Sequence, residues 1–309
     1  MITRRTTTFL IAVGFFGMVS LALAKEKEGS AGMNDYAKGI QFFEKKQYDE
    51  AVTEFTKAIL ANDKQAAFYE NRGFAYVALD RASEATADFS KAIELSPKDT
   101  RAYLGRAQAS LLQKNSNQAL ADAEKALELK PDDVTAQMFR GYAEIGLNQW
   151  EKAVADFTTV IQKKPDDPRN YDRRAWANRN LKNYDAAVAD YTLLIEKNPA
   201  DADALVKRGA TYTAMAQYDK AIADYEAALK LNPQDNDTFQ RLQYAQGRLA
   251  AKNAPPPTAT STPTPEKPGG ATLITPLNIG IAIVALIVIA VIVRVVTRGK
   301  AEPTSHRIR

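Results

Sequence analysis

Small, aromatic and proline residues recur along this chain at one fixed interval. Ala51, Ala85, Ala119, Ala153, Ala187 and Ala221 stand 34 residues apart with no insertion or deletion between copies. Pro97, Pro131, Pro165, Pro199 and Pro233 keep the same interval, and Asp63 stands where the first copy would have its proline. An aromatic residue follows each alanine at Phe55, Phe89, Phe157, Tyr191 and Tyr225, with Ala123 as the single departure. A small residue precedes it at Gly39, Gly73, Ala107, Gly141, Ala175 and Gly209. This spacing predicts two short amphipathic helices per copy: the small position lets them approach, the alanine and aromatic positions fill the contact, and proline ends the second. One such pair cannot bury its own apolar face, so six must stack into a continuous core. The copies span residues 32–65, 66–99, 100–133, 134–167, 168–201 and 202–235. Residues 236–252, with Phe239, Leu242, Tyr244 and Leu249 among polar neighbours, predict a capping helix. The third copy is the weakest, with Ala123 on the aromatic position, Ser110 where Phe42, Tyr76 and Tyr212 occur, and Ser116 where Tyr48, Trp150, Tyr184 and Tyr218 occur. Three lost aromatics predict a local soft spot.

Two further apolar stretches do not follow this period. Residues 1–24 open with Arg4 and Arg5, run apolar from Phe9 to Leu23 and end Ala22-Leu23-Ala24, the pattern of a secretory signal, with an uncleaved anchor as the alternative. Residues 25–31 are then a short linker. Residues 273–293 carry no charge and reach the roughly 20 residues that a helix needs to cross a bilayer. Arg294, Arg298 and Lys300 follow directly, so the basic tail, residues 294–309, is expected in the cytoplasm and the repeats on the other side. Between repeats and span, residues 253–272 are rich in proline and threonine and cannot bury an apolar face, so they read as a tether.

The repeat positions, as they stand in Asn71-Arg72-Gly73-Phe74-Ala75-Tyr76 through Pro97, resemble the tetratricopeptide-repeat (TPR) family, over about two thirds of the chain. The resemblance implies an all-α fold: a right-handed α-solenoid of six helix-turn-helix units plus the capping helix, here followed by a single transmembrane helix. It also implies a concave groove, formed by the first helices, that receives peptides or partner domains. The family's carboxylate clamp is not implied, because Gly105 stands where its arginine belongs and only Asn71 and Arg101 occupy comparable places.

Charge and composition narrow the chemistry. The formal charge of +4 comes from the two ends, and the repeats are close to neutral, so a phosphate-backbone footprint and nucleic-acid binding are not expected. The chain has no cysteine, and its one histidine, His306, lies in the basic tail, which excludes thiolate sites and a Ser-His-acid triad among the repeats. No phosphate-binding glycine loop, zinc motif or calcium loop occurs at usable spacing, and the sequence calls for no metal or cofactor. The expectation is a non-enzymatic scaffold for a protein or peptide, anchored in a cell membrane with its repeats in a bacterial periplasm. The alternative is an architectural, self-assembling envelope component.

Two sets of residues carry candidate function. Arg72, Arg106, Arg140, Arg174 and Arg208 recur every 34 residues together with Asp88, Asp122, Asp156, Asp190 and Asp224, and Lys38 and Glu54 replace them in the first unit. Because each arginine has an acid on its own period, a ladder of structural salt bridges is favoured over a row of cations for anionic ligands. The second set is a peptide groove. Phe74, Met138, Phe139, Tyr142 and Trp176 sit beside the packing positions and are expected to face it, with Arg169, Arg173, Arg179 and Lys207 as a basic cluster in the two following units. The competing reading makes those apolar residues inter-repeat core.

Overall fold

A computed structural model describes residues 32–254. Within them lie thirteen α-helices and no strand: α1 Met33–Glu44, α2 Tyr48–Ala61, α3 Ala66–Ala78, α4 Ala82–Leu95, α5 Thr100–Leu112, α6 Ser116–Leu129, α7 Val134–Gly146, α8 Trp150–Lys163, α9 Pro168–Asn180, α10 Tyr184–Lys197, α11 Ala202–Ala214, α12 Tyr218–Leu231 and α13 Asn236–Asn253. Among these helices none is long and apolar enough to cross a membrane. The signal reading at residues 1–24, the linker at 25–31, and the apolar stretch 273–293 with its tail lie outside the described residues, as does the tether beyond residue 254.

Each helix boundary has a local cause that repeats with the period. In the turn inside every unit one residue takes the left-handed conformation: Lys46, Asp80, Lys114, Asn148, Lys182 and Ala216, at φ between 55° and 62°. Asp and Asn tolerate this region, whereas alanine pays for its Cβ without compensation. Ala216→Gly is therefore expected to raise stability by about 0.5 kcal/mol, the relief of strain less the entropy of glycine. A urea midpoint at or below wild type would show that the turn holds the methyl group without strain. In the turn between units, the second residue after proline caps the next first helix. Asp99, Asp133, Asp167 and Asp201 each accept a backbone N–H, from Arg101, Thr135 and Ala136, Arg169, and Ala204.

The core repeats as well. Phe55, Phe89, Phe157, Tyr191 and Tyr225 are fully enclosed, as are the alanines four residues before them. A methyl group on Gly39, Gly73, Gly141 or Gly209 would press on the aromatic ring of the same unit, which is why that position stays small. The third unit solves its loss of an aromatic by exchange. Gly105 lies against Phe89 of the preceding unit, so closely that a Cβ there would stand 2.3 Å from the ring. One repeat later the sizes are inverted: Ala123 takes the aromatic's place and Phe139 takes the glycine's, and both belong to one buried cluster with Met138, Ala153 and Phe157. At Ser116 the packing is close in another way, since a Cβ on Gly146 would meet its Oγ at 2.0 Å, so two small residues bring α6 and α7 together. One of the three missing aromatics is thus replaced from the neighbouring unit.

Candidate functional site: the inner face of the array

Neighbouring first helices touch one another, α1 with α3, α3 with α5, α5 with α7, α7 with α9 and α11 with α13, and no comparable contact joins successive second helices. The first helices therefore line the inner side of the curve. α9 and α11 approach less closely than the other neighbours.

Behind that face runs the salt-bridge ladder. Arg72, Arg106, Arg140, Arg174 and Arg208 each grip the aspartate sixteen residues on, through Nε and Nη2 at 2.6–2.9 Å. In four rungs Nη1 also donates to a hydroxyl on the preceding second helix, at Thr56, Ser90, Thr158 and Thr192. One guanidinium thus ties together three helices, and the arginines are used up by structure. The rung of the fourth unit, Arg140–Asp156, differs. Glu124 stands on the hydroxyl position, and Glu144 is buried beside Arg140 and Asp156. Burial first, and the neighbouring Asp156 second, lift the Glu144 carboxyl to about 7.

On the inner face the groove residues fall into three groups. Met138 and Phe139 are 7% and 4% exposed and belong to the core, which corrects the expectation that they line the groove. The cause is the size exchange: with Ala123 behind it, Phe139 turns inward to fill the slot. Phe74 and Tyr142 are half-buried, each edge-on to the aromatic of its own unit, Phe89 at 4.9 Å and Phe157 at 5.3 Å. Their outer faces carry arginines from the next unit, Arg101 over Phe74 and Arg173 over Tyr142, both 5.6 Å from the ring centre. Burial lifts the Tyr142 hydroxyl, although Arg173 and Arg169 pull the other way. Trp176 is 38% exposed and is the one large apolar side chain that the inner face presents openly among the described residues.

The basic cluster is partly neutralised. Arg169 is held by Asp167 through two bonds of 2.6 and 2.8 Å, and Lys207 bridges from α11 to Asp172 on α9 and to Asp203, both at 2.6 Å. Arg173 lies 4.0 Å from Asp172, and its Nε has no hydrogen-bond partner. Arg179 is half-buried and has no ion pair among the described residues. At the other end of the face a carboxylate that the sequence reading missed is enclosed: Glu70, 2% exposed, pairs with Arg101 at 2.9 Å, and beside it Asn71 donates to the Tyr36 hydroxyl at 2.9 Å. Its signal was an acid and an arginine on neighbouring first helices.

Burial raises the Glu70 carboxyl from 4.5 to about 8, Arg101 opposes this, and Asp99 reinforces it. The folded state then holds a proton that the unfolded chain has already released, so stability falls as pH rises from about 4.5 to about 8. Glu144 contributes in the same direction up to about 7. Glu70→Gln is expected to flatten the decline, measured as urea midpoints at pH 5 and pH 8; an unchanged slope would mean that the Arg101 pair keeps Glu70 ionised throughout.

Three models of the tetratricopeptide repeat match this chain, one at residues 36–100 and 106–168, one at 170–201 and one at 202–235. The chain belongs to the tetratricopeptide-repeat family. Among solved structures it is similar to YrrB, described as a TPR protein with an unusual peptide-binding site, at 23% identity and a TM-score of 0.54, over 62% of this chain and 97% of that one. A tetratricopeptide repeat protein from Parabacteroides merdae is 19% identical, with a TM-score of 0.51, over 74% and 89%. MamA from Desulfovibrio magneticus is 18% identical, with a TM-score of 0.52, over 56% and 98%. At these identities the likeness is one of fold. No curated protein matches.

Proposed function

We propose that this TPR array is a non-catalytic scaffold that holds a segment of another protein on its inner face, at α9 and the space between α9 and α11. The observation that carries the reading is Trp176, open to solvent on the inner face, where the corresponding aromatics Phe74 and Tyr142 are covered by arginines. A partly exposed tryptophan beside arginines can contribute apolar area and hydrogen bonding to one contact. The peptide-binding site named for YrrB is consistent with this use of the fold. Residues 1–24 would direct export, and residues 273–293 would hold the array to a membrane by the tether, with the repeats extracytoplasmic and the tail in the cytoplasm.

The test is a photo-crosslinking residue placed at position 176 or, as a control on the outer helix α8, at Ala155 in the full-length chain in intact cells. Adducts at 176 and none at 155 are expected; equal labelling at both would sink the inner-face reading. External protease on permeabilised outer membranes should remove the repeats and spare a tag at Arg309, and protected repeats would overturn the export reading. The self-assembly reading also has an observation behind it, since Phe239 and Tyr244 on α13 are about half exposed. Solution mass separates the two: a strict monomer disfavours assembly.

A further inference from the structure

The ion pairs on the inner face leave α9 short of acceptors. Asp167 is taken by Arg169, Lys207 is shared by Asp172 and Asp203, and Asp172 also stands 4.0 Å from Arg173. Arg173, over the Tyr142 ring and beyond hydrogen-bond reach of Asp172, keeps a buried Nε without a hydrogen bond, and Arg179 has no ion pair among the described residues. A buried guanidinium N–H without an acceptor is costly, so a ligand that brings one gains more than the bond alone. Arg173, Trp176 and Arg179 follow at intervals of three residues, so each arginine lies about 60° around the helix and about 4.5 Å along it from the indole, and the two arginines about 120° and about 9 Å from each other. α9 and α11 also approach less closely than the other neighbouring first helices, and the long Lys207 side chain bridges them to Asp172.

We infer that the ligand is an extended peptide whose apolar side chain packs on Trp176 and whose neighbouring Asp or Glu is taken by Arg173 and Arg179. This rests on the peptide-binding reading above and adds the chemistry of the ligand. The planar guanidinium fork matches a carboxylate, and both arginines lie within one turn of the indole, so acid and apolar residue must be close in the peptide. A basic peptide is less well matched here, because Asp167, Asp172 and Asp203 each already face a cation of the fold. The opposite end of the face is closed to the same ligand: Arg101 is held between Glu70 and Phe74.

A random dodecapeptide library displayed on phage and panned against the immobilised full-length chain tests this. Wild type should enrich Asp or Glu within two positions of an aliphatic or aromatic residue. The double variant Arg173→Gln, Arg179→Gln should lose about tenfold or more in affinity for the selected peptides, the worth of at least one charge-assisted bond, at unchanged helicity. Arg179→Glu, which breaks no ion pair of the fold, should shift selection toward Lys and Arg. Peptides selected without an acidic preference would overturn the inference and leave peptide binding standing. Acidic selection that survives in the double variant, or is unmoved by Arg179→Glu, would place the site elsewhere. No enrichment at all would overturn both readings.

Discussion

Replacing Asp190 by alanine is expected to lower the unfolding free energy of the array by about 3 kcal/mol, the low end for breaking a buried ion pair by removing one partner. The Arg174 side chain is 21% exposed and that of Asp190 7%, so the orphaned guanidinium cannot reach enough water to recover its solvation. Exchanging both partners, Arg174→Met with Asp190→Leu, should cost much less, since no charge is left buried. Urea denaturation of the full-length chain followed by helicity reads both. The rung of the fourth unit should behave differently: after Asp156→Ala, Glu144 and Glu124 remain to neutralise Arg140, and the loss should be smaller than at Asp190. A loss below about 0.5 kcal/mol at Asp190 would equate the rung with a surface pair and return the arginines to the pool of possible ligand contacts.

How far the sequence could be read follows from what each feature depends on. The helix pairs and the ladder depend on contacts that recur every 34 residues, so six copies of one pattern reveal them; the arginine and the aspartate of each rung announce each other by sharing the period. The open face of the groove depends on what one unit does to the next. Phe139 and Trp176 both sit beside the packing positions, yet one is buried and the other open. The difference lies in the neighbours: Ala123 behind α7 makes room for Phe139 and draws it into the core, whereas no such vacancy lies behind α9, where Phe157 fills the slot. Comparing each first helix with the aromatic of the unit before it would have exposed the exchange, because Gly105 after Phe89 and Phe139 after Ala123 are complementary in size. The charges are harder to read, since Asp167, which neutralises Arg169, stands on the capping position shared with Asp99, Asp133 and Asp201, where the period does not mark it as an ion-pair partner.

That exchange carries the other large effect. Phe139→Ala should destabilise the array by about 3–4 kcal/mol, because it opens a cavity where Ala123 offers nothing to fill it. Ala123→Phe in the wild-type background should also destabilise, by about 1–3 kcal/mol, since two rings then compete for one slot. Combining Ala123→Phe with Phe139→Gly rebuilds the arrangement seen at Phe89 and Gly105, and it should recover all but about 1 kcal/mol, the cost of glycine inside a helix. The coupling between two residues that each destabilise alone is what identifies a shared slot, and a chemical-denaturation cycle over the four proteins measures it. If the two changes instead add, the rings do not share a space. If Phe139→Ala leaves stability intact and weakens only peptide capture, Phe139 belongs to the groove after all.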